Sequence, residues 1–218
     1  MKEKVAESQA EKAYQLLEEM IVTLQIKPGT KISEKRLCET LGLGRTPIRE
    51  ALQRLANECA VTIEPRHGVV VSPIDVLDQF HLIEVRRALE LILVRRATRL
   101  ASDEDRAQFA DFAAQFHQAG ETLDEKLLAS TERDFRGLLA VTARNKYVLL
   151  AMRPFQAQTR RFQHLYFKRF GDLAHLCELH SQIARAVADA DEARAKATLH
   201  TMMDYIEEYT EKTMRAIY

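Results

Sequence analysis

Tryptophan is absent from this 218-residue chain, and glycine, proline and cysteine are scarce, at 7, 5 and 3 residues. The scarcity of glycine and proline, together with long periodic stretches, indicates a mostly helical protein. Cys38, Cys59 and Cys177 show no metal-ligand spacing, so we interpret them as small buried apolar residues rather than disulfide partners. No apolar run approaches the ~20 residues of a membrane span, and MKEKVAESQAEK lacks the apolar core of a signal peptide. We therefore expect a cytoplasmic protein with no membrane partner.

The formal net charge is zero, from 32 basic and 32 acidic residues. Proteins that bind nucleic acid ordinarily present a positive surface. The positive excess here is local, because residues 27–54 contain seven basic and three acidic side chains, a net of +4 (7 − 3). Overall neutrality therefore leaves room for a DNA-binding surface confined to a small part of the chain.

Residues 33–55 predict two short helices joined by a tight turn. Ser33 is an N-cap for the first helix, and Gly42 supplies the left-handed residue that ends it. Thr46 is predicted to cap the second helix, with Pro47 at its first helical position. An earlier helix, from about residue 8 to 24, is predicted to bury one face, formed by Ala13, Leu16, Leu17, Met20, Ile21 and Leu24.

The second of the two short helices has two distinct faces. One face is apolar and is predicted to pack against the apolar face of the first short helix. The residues predicted to face inward from the two helices are Leu37, Leu41, Ile48, Leu52 and Leu55. Arg45, Thr46, Arg49 and Gln53 fall on another face. A helix that presents arginines from its N-terminal end while packing on a second helix has the geometry that enters a DNA major groove. The alternative is a surface helix with solvated arginines.

Two short β-branched runs follow, at residues 61–63 and 69–71, and predict a hairpin. The connecting sequence EPRHG ends in Gly68, which tolerates the backbone geometry of a hairpin turn. Arg66 and His67 lie at the predicted tip, where they could reach phosphates or the minor groove. Taken alone, Arg66 would be interpreted as a solvated turn residue. Together the elements predict a winged helix-turn-helix.

The run LGLGRTPIREALQRL resembles the signature of the GntR family of bacterial transcription regulators, and the resemblance extends from about Tyr14 to Ser72. Gly44 stands where the family usually has serine, which implies one hydroxyl contact fewer to the DNA backbone. The resemblance implies that residues 1–72 form a domain that binds double-stranded DNA as part of a homodimer. The implied contacts are Lys35 and Arg36 to phosphates, Arg45, Thr46 and Arg49 to bases and backbone, and Arg66, His67 and Gly68 through the wing.

Beyond Pro73 the pattern is helical throughout. The predicted helices cover residues 75–100, 102–118, 123–143, 145–170, 173–188 and 191–218, with a break at Gly120 and a kink at Pro154. Short connections predict antiparallel neighbours in one bundle, so residues 75–218 form a second, all-helical domain. Phe155, Phe162, Tyr166, Phe167 and Phe170 are interpreted as bundle core or dimer contacts, with the lining of a ligand pocket as the alternative.

The phrases EVRRALE, DFRGLLAVTARN and HSQIARAVADAD resemble the FCD effector domain of the FadR subfamily. Many such domains hold a divalent metal, and the positions that match its ligands here are Glu132, Arg136, His180 and Met202. A guanidinium cannot be deprotonated to bind a metal, and a thioether is a poor ligand for zinc or manganese. We therefore predict no metal cofactor.

Arg136 instead suggests an anionic effector. A buried arginine needs a partner, which is either Glu132 four residues earlier or a small organic acid bound to Arg136, with Arg86 and His180 as further contacts. A purely structural Arg136–Glu132 pair and a core His180 are the alternatives. We interpret the protein as a ligand-responsive regulator, with repression as the default. The alternatives are a ligand-independent regulator with a decayed effector site, and a bundle enzyme using Glu132 and His180 as acid and base.

Overall fold

The computed structural model describes residues 8–64 and 68–218. The chain divides into two compact units. Unit 1 comprises Met1–Asp75 and Arg153–Leu165, and unit 2 comprises Val76–Met152 and Tyr166–Tyr218. The expected fold class, mostly helical with an N-terminal winged helix-turn-helix and a C-terminal helical bundle, is confirmed.

The N-terminal part of unit 1 consists of helices packed on a small antiparallel sheet. Its described elements are α1 (Gln9–Val22), β1 (Lys31–Ile32), α2 (Glu34–Leu41), α3 (Arg45–Asn57), β2 (Val61–Glu64) and β3 (Gly68–Val71). The strand order is β1-β3-β2. The predicted hairpin is β2 and β3, paired from Val61↔Val71 to Glu64↔Gly68. β1 was not predicted, because two residues are too few to show an alternating pattern.

The core of unit 1 is formed where α1, α3 and the sheet meet. All five residues predicted to face inward from α2 and α3 pack into it, with Leu41 partly buried. The stripe predicted on α1 is partly wrong, since Leu16 is 37% exposed while Tyr14 is buried. The hydroxyl of Tyr14 donates to the buried Glu58 carboxylate at 2.7 Å. Apolar periodicity does not predict the burial of Tyr14, because this burial depends on a polar partner far along the chain.

The segment Arg153–Leu165 also belongs to unit 1. Ala157 joins its core, and the Arg160 guanidinium pairs with Glu18 and Glu19 of α1, each at 3.0 Å. Arg161 is fully buried and donates to the Ser72 carbonyl. Burial lowers the pKa of Arg161 to about 10. A stretch far along the chain is therefore part of this unit.

The remaining helices are α4 (Val76–Leu100), α5 (Asp103–Thr122), α6 (Glu125–Ala143), α7 (Lys146–Phe162), α8 (Lys168–Phe170), α9 (Leu173–Ala188) and α10 (Glu192–Ile217). Within unit 2, α5 packs on α9 and α6, and α4 packs on α10 and α6. Ser102, the residue at which the second helix of this domain was predicted to begin, is the N-cap of α5 and forms a capping box with Asp105. The helices follow the sequence prediction except at α5 and α7.

Gly120 does not end α5, which continues to Thr122. A Cβ at Gly120 would lie 3.0 Å from Cβ of Cys177 on α9, so glycine here permits close packing of two helices. The sequence alone does not distinguish this use of glycine from a helix stop.

The helix predicted over residues 145–170 is interrupted by a π-helical turn at Gln163–Phe167, beyond Pro154. Gly171 is the C-cap of α8, in agreement with the helix end predicted at residue 170, and a Cβ there would overlap the Phe167 ring. Of the five aromatic residues interpreted as core, only Phe162 is buried. The other four are partly buried, and for them the interpretation as dimer contacts stays a prediction.

Cys177 is buried and Cys38 is partly buried, whereas Cys59 is exposed. The prediction of burial is wrong for Cys59 because this residue follows α3 in a turn, at φ +58°, instead of continuing the helix. In the part of the chain that the structure describes, each helix is too short or too polar to cross a membrane.

Candidate nucleic-acid interface and effector site

The exposed face of α3 begins in its first turn. Arg45, Thr46 and Arg49 are exposed, and the opposite face is buried through Ile48, Ala51, Leu52 and Leu55. Lys35 and Arg36 are exposed in the first turn of α2. The two-helix arrangement therefore presents basic side chains from both helices to solvent while the apolar side chains hold α2 against α3.

The predicted cap of α3 is wrong. The helix begins at Arg45, and its N-cap is Gly44, at φ −67° and ψ 166°, without a side-chain hydrogen bond. Thr46 and Pro47 therefore occupy the second and third helical positions. Pro47 loses no hydrogen bond there, because the first-turn N–H groups of a helix have no intrahelical partner. Glycine is an adequate N-cap, so Thr46 is not needed for capping.

Two ion pairs lie among these basic residues. Arg49 donates from Nε to Oε2 of Glu34 at 2.8 Å, which joins α3 to α2. Lys35 lies 4.0 Å from Glu39 within α2, and both side chains are largely exposed. Glu34 was counted among the acidic residues of this segment, but its contact with Arg49 was not predicted, because it depends on the packing of two helices.

Arg54 contributes less to this surface than its charge suggests. Its guanidinium lies 3.5 Å from the centre of the Tyr14 ring and donates to Glu11 at 2.8 Å. Oε1 of Glu58 lies 3.5 Å from Nε of Arg54. Burial raises the pKa of the Glu58 carboxyl, against the opposing effects of Tyr14 and Arg54. The positive excess of residues 27–54 is therefore concentrated toward the N-terminal ends of α2 and α3.

The described part of the wing consists of strands β2 and β3. Gly68 has φ +96°, a left-handed conformation that favours glycine, as predicted. Arg66 and His67 lie outside the described residues. Their roles at the wing tip stay predictions.

In unit 2, four residues predicted to bind an effector lie close together. Arg86 donates to Glu90 at 2.9 Å, and Arg136 lies 3.9 Å from the same Glu90 carboxylate. Arg136 also donates to Glu132, and Glu132 Oε1 lies 3.9 Å from Nε2 of His180. These five residues, Arg86, Glu90, Glu132, Arg136 and His180, form a continuous series of contacts that we call the charge cluster.

The charge cluster is largely buried and balances its own charge. Burial by itself raises the pKa of Glu132, but Arg136 and His180 outweigh it, and the pKa lies at about 2. Burial likewise raises the pKa of Glu90, and Arg86 and Arg136 outweigh it to leave a lowered value. Both carboxylates are therefore ionised at neutral pH opposite two guanidinium groups.

His180 packs against two aromatic rings. It stacks on Phe116 at 4.9 Å between ring centres and meets the edge of Phe135 at 6.4 Å. Burial lowers the pKa of His180, so the imidazole is neutral at neutral pH. Its Nδ1 atom is buried and has no hydrogen-bond partner among the described residues. A ligand with a polar group could therefore satisfy this atom.

Sequence analysis did not single out Glu90 or Phe116 as parts of this site. For Glu90 the signal was present, because it lies four residues after Arg86 on one face of α4. For Phe116 there was no signal, since only the packing of α5 on α9 brings its ring to His180.

The residues present do not fit a divalent metal. Glu132 would have to ligate the ion, but its carboxylate already forms an ion pair with the Arg136 guanidinium. Arg136 also places a permanent positive charge where the metal would bind. Met202 is buried on α10 and offers a thioether. No group of three or more His, Cys, Asp or Glu that could hold a metal is found among the described residues.

Comparison with known proteins places these features in a family. Residues 9–71 match the model described as bacterial regulatory proteins, gntR family, and residues 81–205 match the FCD domain. The Nta operon transcriptional regulator of Aminobacter aminovorans is 31% identical over 183 residues, covering 82% of this chain and 83% of that protein. This chain belongs to the GntR family and contains an FCD domain.

Further relatives agree. The HTH-type transcriptional repressor RspR of Escherichia coli (strain K12) is 25% identical over 201 residues, 91% of this chain and 86% of that protein. The solved structure of E. coli McbR/YncC has a TM-score of 0.80 at 20% identity, covering 95% of this chain and 99% of that one, which shows the shared fold. The GntR-family chain is thus a transcriptional regulator and not an enzyme, which removes the interpretation of Glu132 and His180 as catalytic acid and base.

Proposed function

We propose that this GntR-family protein is a cytoplasmic, homodimeric repressor of the FadR subfamily that binds a pseudo-palindromic operator in double-stranded DNA. In this proposal residues 1–72 bind DNA, and residues 75–218 bind an effector and dimerise. The main support is the exposed basic face of α3, which packs on α2 as in DNA-binding helix-turn-helix proteins. The relative RspR is named a repressor, which favours repression over activation.

The DNA contacts follow from chemistry and exposure. Arg45 and Arg49 are suited to guanine O6 and N7 in the major groove, and Thr46 to bases or backbone. Lys35 and Arg36 are suited to phosphates. We assign Arg66, His67 and Gly68 to wing contacts.

Selection of bound fragments from the source genome tests this assignment. We expect one enriched pseudo-palindromic site, bound with a steep salt dependence. Arg45→Ala should relax specificity at one base pair in each half-site, whereas Arg36→Ala should weaken binding to all sequences and reduce the salt slope by about one. A protein that binds no duplex even in dilute salt would refute the proposal.

We assign the effector to small carboxylate-bearing metabolites bound at the charge cluster, through Arg86, Glu132, Arg136 and His180. Arg136 can pair with a carboxylate in two parallel hydrogen bonds, and Nδ1 of His180 needs a partner. Because both guanidinium groups already face carboxylates, an incoming anion must displace Glu132 from Arg136 or bring a proton to His180.

Isothermal titration with small mono- and dicarboxylates tests this assignment. We expect binding that survives chelators and is weakened in Arg136→Ala, with Arg87→Ala as a control because Arg87 pairs with Asp204 and Glu207 on the surface. Unchanged affinity in Arg136→Ala would remove the basis for the assignment.

A second candidate function is a ligand-independent regulator whose effector site has decayed. It is favoured by two internal ion pairs, Arg86 with Glu90 and Arg136 with Glu132, which leave the charge cluster neutral without a ligand. Thermal-shift screening distinguishes the two candidates, because only a functioning site should yield compounds that raise the melting temperature.

A further inference from the structure

Glu34 lies beside the exposed face of α3. Its Oε2 atom accepts a hydrogen bond from Nε of Arg49 at 2.8 Å, across two different helices. Glu34 is the more shielded partner, with 35% of its side chain exposed against 65% for Arg49. Leu37 of α2 and Ile48 of α3 are both buried close by in sequence, so the backbones that carry this pair are anchored in the core.

The hydrogen bond to Glu34 uses the Nε donor of Arg49 and leaves both Nη groups available for base recognition. An arginine reads guanine with two parallel N–H groups, and its planar guanidinium has donors on more than one edge. With Nε held by Glu34, the two Nη groups remain as a pair whose plane is restricted. We propose that Glu34 is a positioning residue that orients Arg49 for one base pair, an inference that rests on the proposed function.

The same carboxylate opposes indiscriminate binding. A negative charge among the basic side chains of α2 and α3 repels DNA phosphates whatever the base sequence. The electrostatic interaction with phosphates supplies most of the affinity for non-specific DNA. Glu34 should therefore strengthen discrimination while weakening background binding. A merely structural ion pair would affect both kinds of DNA equally through protein stability.

Glu39 provides a matched control on the same helix. It forms a pair with Lys35 at 4.0 Å, where the side chains are 66% and 80% exposed. Both contact partners lie within α2, so the pair does not orient a residue of α3. Glu39→Gln and Glu34→Gln make the same change in charge a short distance apart.

The experiment measures the affinity of the full-length protein for its genome-selected duplex and for a mixed-sequence duplex at several salt concentrations. We expect Glu34→Gln to reduce the affinity ratio of the two duplexes on the order of 10-fold, within the range for one bidentate base contact. The loss of discrimination between bases should be confined to one base pair in each half-site. Binding to mixed sequence should stay equal or tighten, and Glu39→Gln should keep the wild-type ratio.

A second variant tests the route through Arg49. Lysine cannot hold Glu34 and read guanine with two parallel donors, so Arg49→Lys should lose discrimination at the same base pair, and adding Glu34→Gln should change nothing further. A Glu34→Gln protein that keeps its ratio within twofold, or loses it equally at all positions, would overturn this inference alone. A wild-type protein without sequence preference would overturn the proposed function as well.

Discussion

The charge cluster makes a quantitative prediction about stability. Arg136→Met removes a guanidinium whose partners, Glu132 and Glu90, are only 17% and 10% exposed at their side chains. Removing one partner of a buried ion pair leaves an uncompensated charge and ordinarily costs about 3–5 kcal/mol. Glu90 keeps its hydrogen bond from Arg86 at 2.9 Å, so only Glu132 loses its main partner, and we expect a loss near the lower limit, about 3 kcal/mol at neutral pH.

A double variant separates the ion pair from the packing of its side chains. Glu132→Gln/Arg136→Met removes both charges and keeps similar volumes, so we expect it to cost about 1 kcal/mol, less than either single change. The control is Lys212→Met on α10, where Lys212 pairs with Glu208 at 2.9 Å but both side chains are more than half exposed. Its loss should be below about 0.5 kcal/mol.

Urea unfolding followed by circular dichroism measures these free energies. In Arg136→Met the pKa of Glu132 should rise, because burial is then opposed only by His180 and more distant charges. The penalty should therefore shrink as the pH falls toward 4 and the carboxyl becomes protonated. Losses as small as that of Lys212→Met, or a double variant whose loss is the sum of the singles, would refute the reasoning.

Three further predictions concern single residues. Because the folded pKa of Glu132 is about 2 and its ordinary value is 4.5, its contribution to stability is complete above pH 4.5 and should be lost as the pH falls toward 2, measured by unfolding across that range. Gly171→Ala places a Cβ against an aromatic ring and should cost about 1–3 kcal/mol, whereas Gly137→Ala on α6, with open space, should be neutral or stabilising in the same thermal assay. Tyr14→Phe leaves buried Glu58 without its hydroxyl donor and should cost about 1–3 kcal/mol in urea unfolding, a result that equal stability would contradict.

The sequence alone determined the type and order of most elements. Local signals were sufficient for this, because Ser33, Ser102 and Gly42 cap helices through contacts within one turn. Apolar periodicity likewise located Leu37, Ile48, Leu52 and Leu55 of the unit 1 core. The resemblance of LGLGRTPIREALQRL to a family signature predicted the fold class and the regulator function before any contact was known.

Tertiary structure decided which partners the charged and small residues meet. Glu34 and Arg49, or Glu90 and Arg136, lie on different helices, and their pairing depends on how those helices pack. From the sequence, Gly120 was predicted to end a helix, whereas in the folded protein it lies within α5 and allows α9 to pack closely against it. Helix capping and apolar periodicity depend on residues a few positions apart, so they can be predicted from the sequence. Burial and ion pairing between helices depend on distances that are set only when the chain folds.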